Sequence, residues 1–141
     1  MNNYYTLIPH TIWATKLKGL SFREKLLYIY LITNEKTHLT GLYYIPIWQI
    51  NQECGLQTNT IKKAIKALIS NSLIAYWKDE NLVYIKSFFK DRVEKIKDIP
   101  SLNEIIQRRR ELIKNAEAWK MFDSEYKKEL IAIKNGGQHE A

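Results

Sequence analysis

The sequence has few of the residues that cross-link a chain or bind metals. Cys54 is the one cysteine among 141 residues, which excludes a disulfide or a thiolate metal cluster within the chain. The three histidines, at positions 10, 38 and 139, show no metal-ligand spacing, so no metal site is predicted. We interpret Cys54 as a small buried residue on a helix.

Glycine-rich loops, nucleophile motifs and long apolar runs are also missing. The five glycines form no phosphate-cradling loop, and no G-x-S-x-G motif or Cys/His pair occurs. The sequence therefore predicts neither an enzyme nor a bound cofactor. No stretch is long enough to span a membrane, and the N-terminus lacks the basic and apolar regions of a signal peptide. A cytoplasmic protein without membrane contact is expected.

The sequence carries an excess of positive charge, and that excess is unevenly placed. The formal net charge is +7. Residues 1–90 hold eleven Lys and Arg against five Asp and Glu, whereas residues 91–141 hold eleven against ten. A basic first region followed by a charge-balanced one favours nucleic acid as the partner of the first region.

A capping box marks the start of the first long helix. Ser21 and Glu24 have the S-x-x-E spacing in which each residue satisfies the backbone N–H of the other. They predict a helix over Phe22–Thr33, after a short helix around residues 10–14. Its predicted buried stripe consists of Leu26, Leu27, Tyr30 and Leu31.

A strand and a second helix follow. Residues 41–45 form a short β-rich run that ends at Pro46, since proline cannot occupy a central strand. Proline suits the first turn of a helix, so Ile47–Cys54 is predicted to be helical. Gly55 is expected to end that helix as a left-handed cap.

The next helix is the strongest candidate for a functional element. A three-residue turn, 55–57, leads to Thr58, which we interpret as the N-cap of a helix over residues 58–71. Two helices across a tight glycine-containing turn are typical of a helix-turn-helix. The predicted buried face of the second helix consists of Ile61, Ala64, Ile65, Leu68 and Ile69.

A hairpin is predicted directly after this helix. Residues 73–77 and 82–88 are strand-like, with a polar turn at 78–81 and alternating faces along the second strand. A hairpin in this position is a wing. The sequence thus predicts a mainly α fold with a small β-hairpin, in which residues 1–90 form a winged helix-turn-helix DNA-binding domain.

Residues 91–141 are predicted to form a helical carboxy-terminal extension with a frayed end near Gly136 and Gly137. Ser101 and Glu104 have capping-box spacing, and Asp123 or Ser124 is expected to cap a fresh helix. The extension either dimerises through a heptad seam or folds back on its own domain. The heptad positions are Leu102, Ile105, Arg109, Leu112, Ala116, Trp119, Asp123, Tyr126, Leu130 and Ile133.

The candidate DNA-binding residues lie on the predicted recognition helix and the wing. Asn59, Lys62, Lys63, Lys66 and Ser70 are predicted to face outward. Thr58, Asn59 and Lys62 are assigned to base edges, and Lys63 and Lys66 to the phosphate backbone. Lys78 and Asn81 are candidate contacts in the wing. A merely solvated lysine face and a plain hairpin turn are the alternatives.

Two other groups are interpreted as structural. The residues of the Arg108–Arg110 run point in different directions on a helix, and Glu104 and Glu111 are placed to pair with Arg108 and Arg110. Aromatic residues could stack on bases, but their positions favour core or strand packing. These aromatic residues are Trp13, Trp48, Trp77, Tyr43, Tyr44 and Tyr84.

A diffuse pattern over the first ninety residues resembles a known family. Its segments are Ile-Pro at 8–9, Ile-Trp at 12–13, Leu-Ser at 20–21, Glu-Lys-Leu-Leu-Tyr at 24–28, Thr-Gly-Leu-Tyr at 40–43, Ile-Pro at 45–46, Glu-Cys-Gly-Leu at 53–56, Leu-Ile-Ala-Tyr at 73–76, Asn-Leu-Val-Tyr-Ile at 81–85 and Phe-Phe-Lys at 88–90. The chain resembles phage replication-initiation proteins of the replisome-organiser type, which have a DnaD-type amino-terminal winged-helix domain. The resemblance implies binding to origin or operator DNA as an oligomer, with a second region that engages helicase-loading proteins.

The chain departs from that family after residue 90, because residues 91–141 are too few for the further globular domain that such proteins often carry. The expected function is binding of double-stranded DNA in replication initiation, by a homodimer whose carboxy-terminal helices engage replication or host proteins. The alternatives are a transcriptional regulator with the same domain, and a phage protein that inhibits a host factor through a winged-helix scaffold.

Overall fold

The computed structural model describes residues 5–93 and 99–139 and is mainly helical, with a three-stranded antiparallel sheet. The chain divides into two compact units, Met1–Lys86 and Ser87–Ala141. The predicted boundary after residue 90 falls later in the chain. Phe89 explains the difference, since its ring packs edge-on against Phe122 and Tyr126 of the second unit, with centroids 5.1 and 5.0 Å away.

The first unit follows the predicted order of elements. They are a 3₁₀ helix over His10–Trp13, α1 over Phe22–Thr33, β1 over Leu42–Tyr44, α2 over Ile47–Cys54, α3 over Thr58–Ser70, β2 over Ile74–Trp77 and β3 over Leu82–Ile85. The strands are arranged in the order β1-β3-β2, with Leu42 opposite Tyr84 and Ile74 opposite Ile85. Helix α3 packs on α1, α2 and β2.

The ends of the first two helices are as predicted. The Ser21 hydroxyl accepts a hydrogen bond from Glu24 N at 3.2 Å, and the Glu24 carboxylate accepts one from Ser21 N at 3.0 Å, so the capping box is confirmed. Gly55, with φ of 71°, ends α2 in the left-handed conformation that glycine adopts without strain.

The predicted cap of α3 is wrong by one residue. Gln57, not Thr58, is the N-cap, because the Gln57 carbonyl already accepts the first helical hydrogen bond, from Ile61 N at 2.9 Å. The Gln57 side chain makes no capping bond. The helix ends at Ser70, one residue before the predicted end, and Asn71 is its C-cap.

Three predicted core residues, Leu26, Tyr30 and Ile69, lie outside the buried stripes of their helices, and Tyr30 is half-buried. In α1 the buried residues are Leu27, Tyr28, Leu31 and Ile32. This stripe lies one position further along the chain than predicted, which leaves Leu26 42% exposed. In α3 the buried arc is Ile61, Ala64, Ile65 and Leu68. Ile69 falls outside that arc and is 42% exposed.

Strand β3 is shorter and more buried than predicted. It ends at Ile85, because Ser87 has a φ of 62° and α4 begins at Phe88. Its residues do not alternate between buried and exposed, since all four are buried. Because successive side chains point to opposite faces of a sheet, burial of all four means that both faces of this central strand are covered.

The aromatic residues divide into two groups. Tyr43 and Tyr84 are buried in the sheet, which confirms their structural role, and Trp77 is half-buried. Trp13 and Trp48, however, are 61% and 63% exposed, and Tyr44 is 37% exposed. A core position is wrong for Trp13 and Trp48, because the neighbouring Ile12 and Ile50 occupy the buried positions. Tyr44 lies in β1, as the alternative of strand packing predicted.

The second unit consists of α4 over Phe88–Val93, α5 over Ile99–Leu112, α6 over Ala116–Glu125 and α7 over Lys127–His139. The predicted start of a fresh helix at Asp123 or Ser124 is therefore misplaced. The helical structure is interrupted at residues 113–115 and again at Tyr126. Asn115 caps α6, because its side chain accepts a hydrogen bond from Ala118 N at 2.9 Å. Asp123 and Ser124 lie inside α6, and Ser101 lies inside α5, so none of the three is a cap.

Half of the eight apolar heptad residues, Leu102, Trp119, Tyr126 and Ile133, are buried within the second unit. Its buried side chains include Leu102, Ile106, Ile113, Trp119, Phe122, Tyr126 and Ile133. Ile105 and Leu112 remain 38% and 63% exposed. Helix α7 includes the two glycines at positions 136 and 137, and fraying at this end stays a prediction.

Candidate nucleic-acid interface

Helix α3 turns a polar face to solvent. Asn59, Lys62, Lys63, Lys66 and Ser70 are all exposed, as predicted, and so is Thr58. The segment from residue 58 to residue 72 contains three lysines and no acidic residue. The exposed face of α3 is therefore strongly positive, because nothing within the helix offsets the lysine charges.

The lysines of α3 do not form one cluster, because the helical repeat separates them. Lys62 and Lys66 are one turn apart, with Ile65 and Ile69 beside them. Lys63 lies on the other side of the exposed face, with Thr60. Asn59 and Ser70 lie between these two flanks.

A groove of about 510 Å³ lies between α3 and the β2–β3 hairpin, and we call it the hairpin groove. Its lining residues are Ile47, Lys62, Ile65, Lys66, Ile69, Tyr76, Lys78, Asp79 and Asn81. It brings together four of the seven predicted site residues, from α3 and from the hairpin turn. The other three, Thr58, Asn59 and Lys63, lie outside it.

The apolar part of the hairpin groove was not predicted as a site. Ile47, Ile65, Ile69 and Tyr76 contribute aliphatic and aromatic surface to the same groove as the lysines. The signal for two of them was present in the sequence, since Ile65 and Ile69 share the flank of Lys62 and Lys66. The groove can thus contact both an anionic group and an apolar one.

Asn81 has a structural role in the hairpin. Its φ of 53° is left-handed, its Oδ1 accepts a bond from the Tyr76 hydroxyl at 3.2 Å, and its carbonyl accepts one from Ile45 N at 2.8 Å. Burial raises the pKa of Tyr76, so this hydroxyl keeps its proton as a donor. Asn81 therefore fixes the turn that carries Lys78 and Asp79.

A smaller cleft of about 260 Å³ lies on the other flank of α3, against α1, and we call it the α1 cleft. Its lining residues are Ser21, Arg23, Glu24, Thr60, Lys63 and Ala64. Lys63, which lies outside the hairpin groove, therefore lines this second cleft. Arg23 was missed, because no local pattern in α1 indicates which residue of α3 it will face.

Cys54 is half-buried at the end of α2 rather than fully buried. Burial, with a smaller contribution from the Glu53 carboxylate, raises the pKa of the Cys54 thiol to about 11. Glu53 is held by the Tyr30 hydroxyl and by Gln49 Nε2, the latter at 2.9 Å, and the bond from Tyr30 lowers the pKa of this carboxyl. This cluster is a link between α1 and α2.

The described residues contain no group of three His, Cys, Asp or Glu side chains that could hold a metal ion. Within the same ranges, no helix has the length and apolar character needed to cross a membrane. Comparison of the chain with family models, curated proteins and solved structures found no match. The interpretation of the two α3 flanks therefore rests on their own geometry and charge.

Proposed function

We propose that the chain binds double-stranded DNA through α3 and the β2–β3 hairpin, so that the first unit acts as a winged helix-turn-helix domain. One observation carries the proposal. Lys62 and Lys66 of α3 and Lys78 of the hairpin turn, which are separate in sequence, line one groove. A DNA backbone is the polyanion that such a cationic groove beside an exposed helix fits best.

The dimensions of α3 suit the DNA major groove. The helix has 13 residues, which makes it about 20 Å long, and the major groove admits a helix because it is about 12 Å wide. Asn59 and Ser70, on the ridge between the two flanks, would face the base edges, with Thr58 at the amino-terminal end. Asparagine can bond two edges of adenine. Lys66 and Lys78 would contact phosphates. Lys62, which the sequence assigned to a base edge, is reassigned to a phosphate because it lines the same groove as these two lysines.

The biological role follows from the sequence resemblance, which favours DNA replication initiation in the cytoplasm of a phage-infected or element-carrying cell. Transcriptional regulation by the same domain is the alternative. A protein that inhibits a host factor through the same scaffold is the second alternative. A homodimer stays a prediction, which light scattering of the full chain tests.

Selection of duplexes from a random pool by the full-length protein, followed by titration at several salt concentrations, tests the proposal. A preferred sequence should emerge, and log Kobs should fall linearly with log salt, because phosphate contacts release counterions. The variant K62A/K66A/K78A should lose the selected duplex. A matched control, K120A/K127A/K128A, removes the same charge from exposed lysines of the second unit and should bind within about twofold of wild type.

Circular dichroism of both variants separates loss of the site from loss of the fold. If the first triple variant is folded and binds the selected duplex as the wild type does, α3 and the hairpin are not the binding surface. If no duplex is enriched and none binds at low salt, the DNA-binding proposal itself is wrong.

A further inference from the structure

The two flanks of α3 differ in what they offer an anion. The hairpin groove on one flank has three lysines and Asp79, whereas the α1 cleft on the other has Arg23, Lys63 and Glu24. Both clefts open beside the same exposed ridge, which carries Asn59 and Ser70. A helix in a DNA major groove has one phosphate backbone on each side of it.

We infer that Arg23 and Lys63 bind a backbone phosphate of the same duplex in the α1 cleft, across α3 from the hairpin groove. The inference rests on the proposed DNA binding and extends it to the second strand. It assigns Arg23 of α1 to the DNA-binding surface. Thr60, whose side chain also lines the cleft, is a further hydroxyl donor for the same phosphate.

Contact with the Phe22 ring restricts the position of the Arg23 side chain. Its guanidinium carbon lies 4.7 Å from the centroid of the Phe22 ring, and the residue is exposed. The N–H donors of a guanidinium lie in its own plane, so contact with a ring face leaves them available to phosphate oxygens. The ring thus limits the positions of the guanidinium without using its hydrogen bonds.

The charges of the α1 cleft fit a single phosphodiester. The Glu24 carboxylate also lines the cleft and is fixed there by the bond that its Oε1 accepts from Ser21 N at 3.0 Å. One carboxylate against one guanidinium and one ammonium leaves one positive charge. A phosphodiester carries one negative charge, so it balances the cleft.

Titration of the selected duplex with R23A, at several salt concentrations, tests this assignment. R23A should weaken binding by about tenfold on matched and mismatched duplexes alike, since a phosphate contact does not depend on sequence. The slope of log Kobs against log salt should fall by about 0.9, the value for one phosphate. R23K should recover part of the affinity, and K63A should show the same slope change as R23A.

K36A is the matched control, because Lys36 is an exposed cation of the same unit that lines neither cleft. It should leave the slope unchanged. If R23A and K63A behave like K36A while K62A/K66A/K78A loses binding, the α1 cleft holds no phosphate and the hairpin-groove proposal stands. If the wild type binds no duplex, both proposals are wrong.

Discussion

Arg110 of α5 and Asp123 of α6 are joined by two hydrogen bonds, from Nη2 to Oδ1 at 2.5 Å and from Nη1 to Oδ2 at 3.2 Å. The guanidinium carbon also lies 4.5 Å from the centroid of the Trp119 ring. Both residues belong to the second unit, and Asp123 is one of the two charged residues, with Arg109, at the predicted heptad positions. The pair therefore links two helices of one chain.

We predict a measurable coupling between Arg110 and Asp123. In a double-mutant cycle with R110A and D123A, urea unfolding should give a coupling free energy of about 1 kcal/mol. The value should be larger than for a usual exposed ion pair, because the guanidinium and the carboxylate form two hydrogen bonds. Arg108 and Glu104, whose side chains are 76% and 60% exposed, form the control pair. Their coupling should stay below about 0.5 kcal/mol. Equal couplings in the two cycles would contradict the account.

The caps of α1 and α3 predict that two similar substitutions will differ in their effect on stability. S21A should lower the free energy of unfolding by about 1 kcal/mol, because it removes one half of the capping box. T58A should change it by less than about 0.5 kcal/mol, because Thr58 is already inside its helix. Thermal or urea denaturation measures both. A larger loss from T58A would restore Thr58 as the cap.

The left-handed conformation of Asn81 predicts an unusual order of stabilities. N81A loses the bond to Tyr76 and places alanine at a φ of 53°, whereas N81G loses only the bond. N81A should therefore be less stable than N81G by about 1 kcal/mol, although alanine is the more similar residue in size. Chemical denaturation of the two variants decides the order, and the reverse order would show that the hairpin turn relaxes.

The thiol of Cys54 should react slowly at neutral pH. Burial raises its pKa to about 11, so the reactive thiolate is scarce near pH 8. Alkylation by iodoacetamide at pH 8 should be about a hundredfold slower in the folded protein than in urea. Because the folded thiol keeps its proton to higher pH than the unfolded one, stability should fall as the pH rises from about 9 toward 11. A reaction midpoint near pH 8.5 in the folded protein would contradict the burial.

The elements of the first unit were predictable because their ends have local signals. The pair Ser21 and Glu24, and glycine at position 55, determine backbone geometry within a few residues. The central position of β3 was not predictable in this way, since β1 joins it from a distant part of the sequence.

The second unit was harder to predict, because spacings of three and four residues fit both a long heptad helix and several short ones. The break at residues 113–115 depends on Asn115, whose side chain caps α6, and on Ile113, which is buried at the turn. Neither residue type marks a helix end strongly on its own. The buried set therefore shifted from Ile105 and Leu112 to Ile106 and Ile113.

The sequence predicted which residues of α3 are exposed, but it did not predict which residues of other elements lie beside them. The exposure of the α3 lysines could be predicted from the 3.6-residue helical repeat, because the apolar residues of the segment mark its buried face. The grouping of Lys78 with Lys62, and of Arg23 with Lys63, depends on how the hairpin and α1 pack beside α3. Such groupings join residues that are remote in sequence, so no local pattern reveals them.

The most direct test of the central claim is a titration of the ¹⁵N-labelled full-length protein with its selected duplex, followed by NMR. Observing each backbone amide locates the contact without changing a side chain. The account predicts that the largest chemical-shift changes fall on α3, from Asn59 to Ser70, and on the hairpin turn at residues 78–81. Saturable binding with changes confined to residues 99–139 would contradict it.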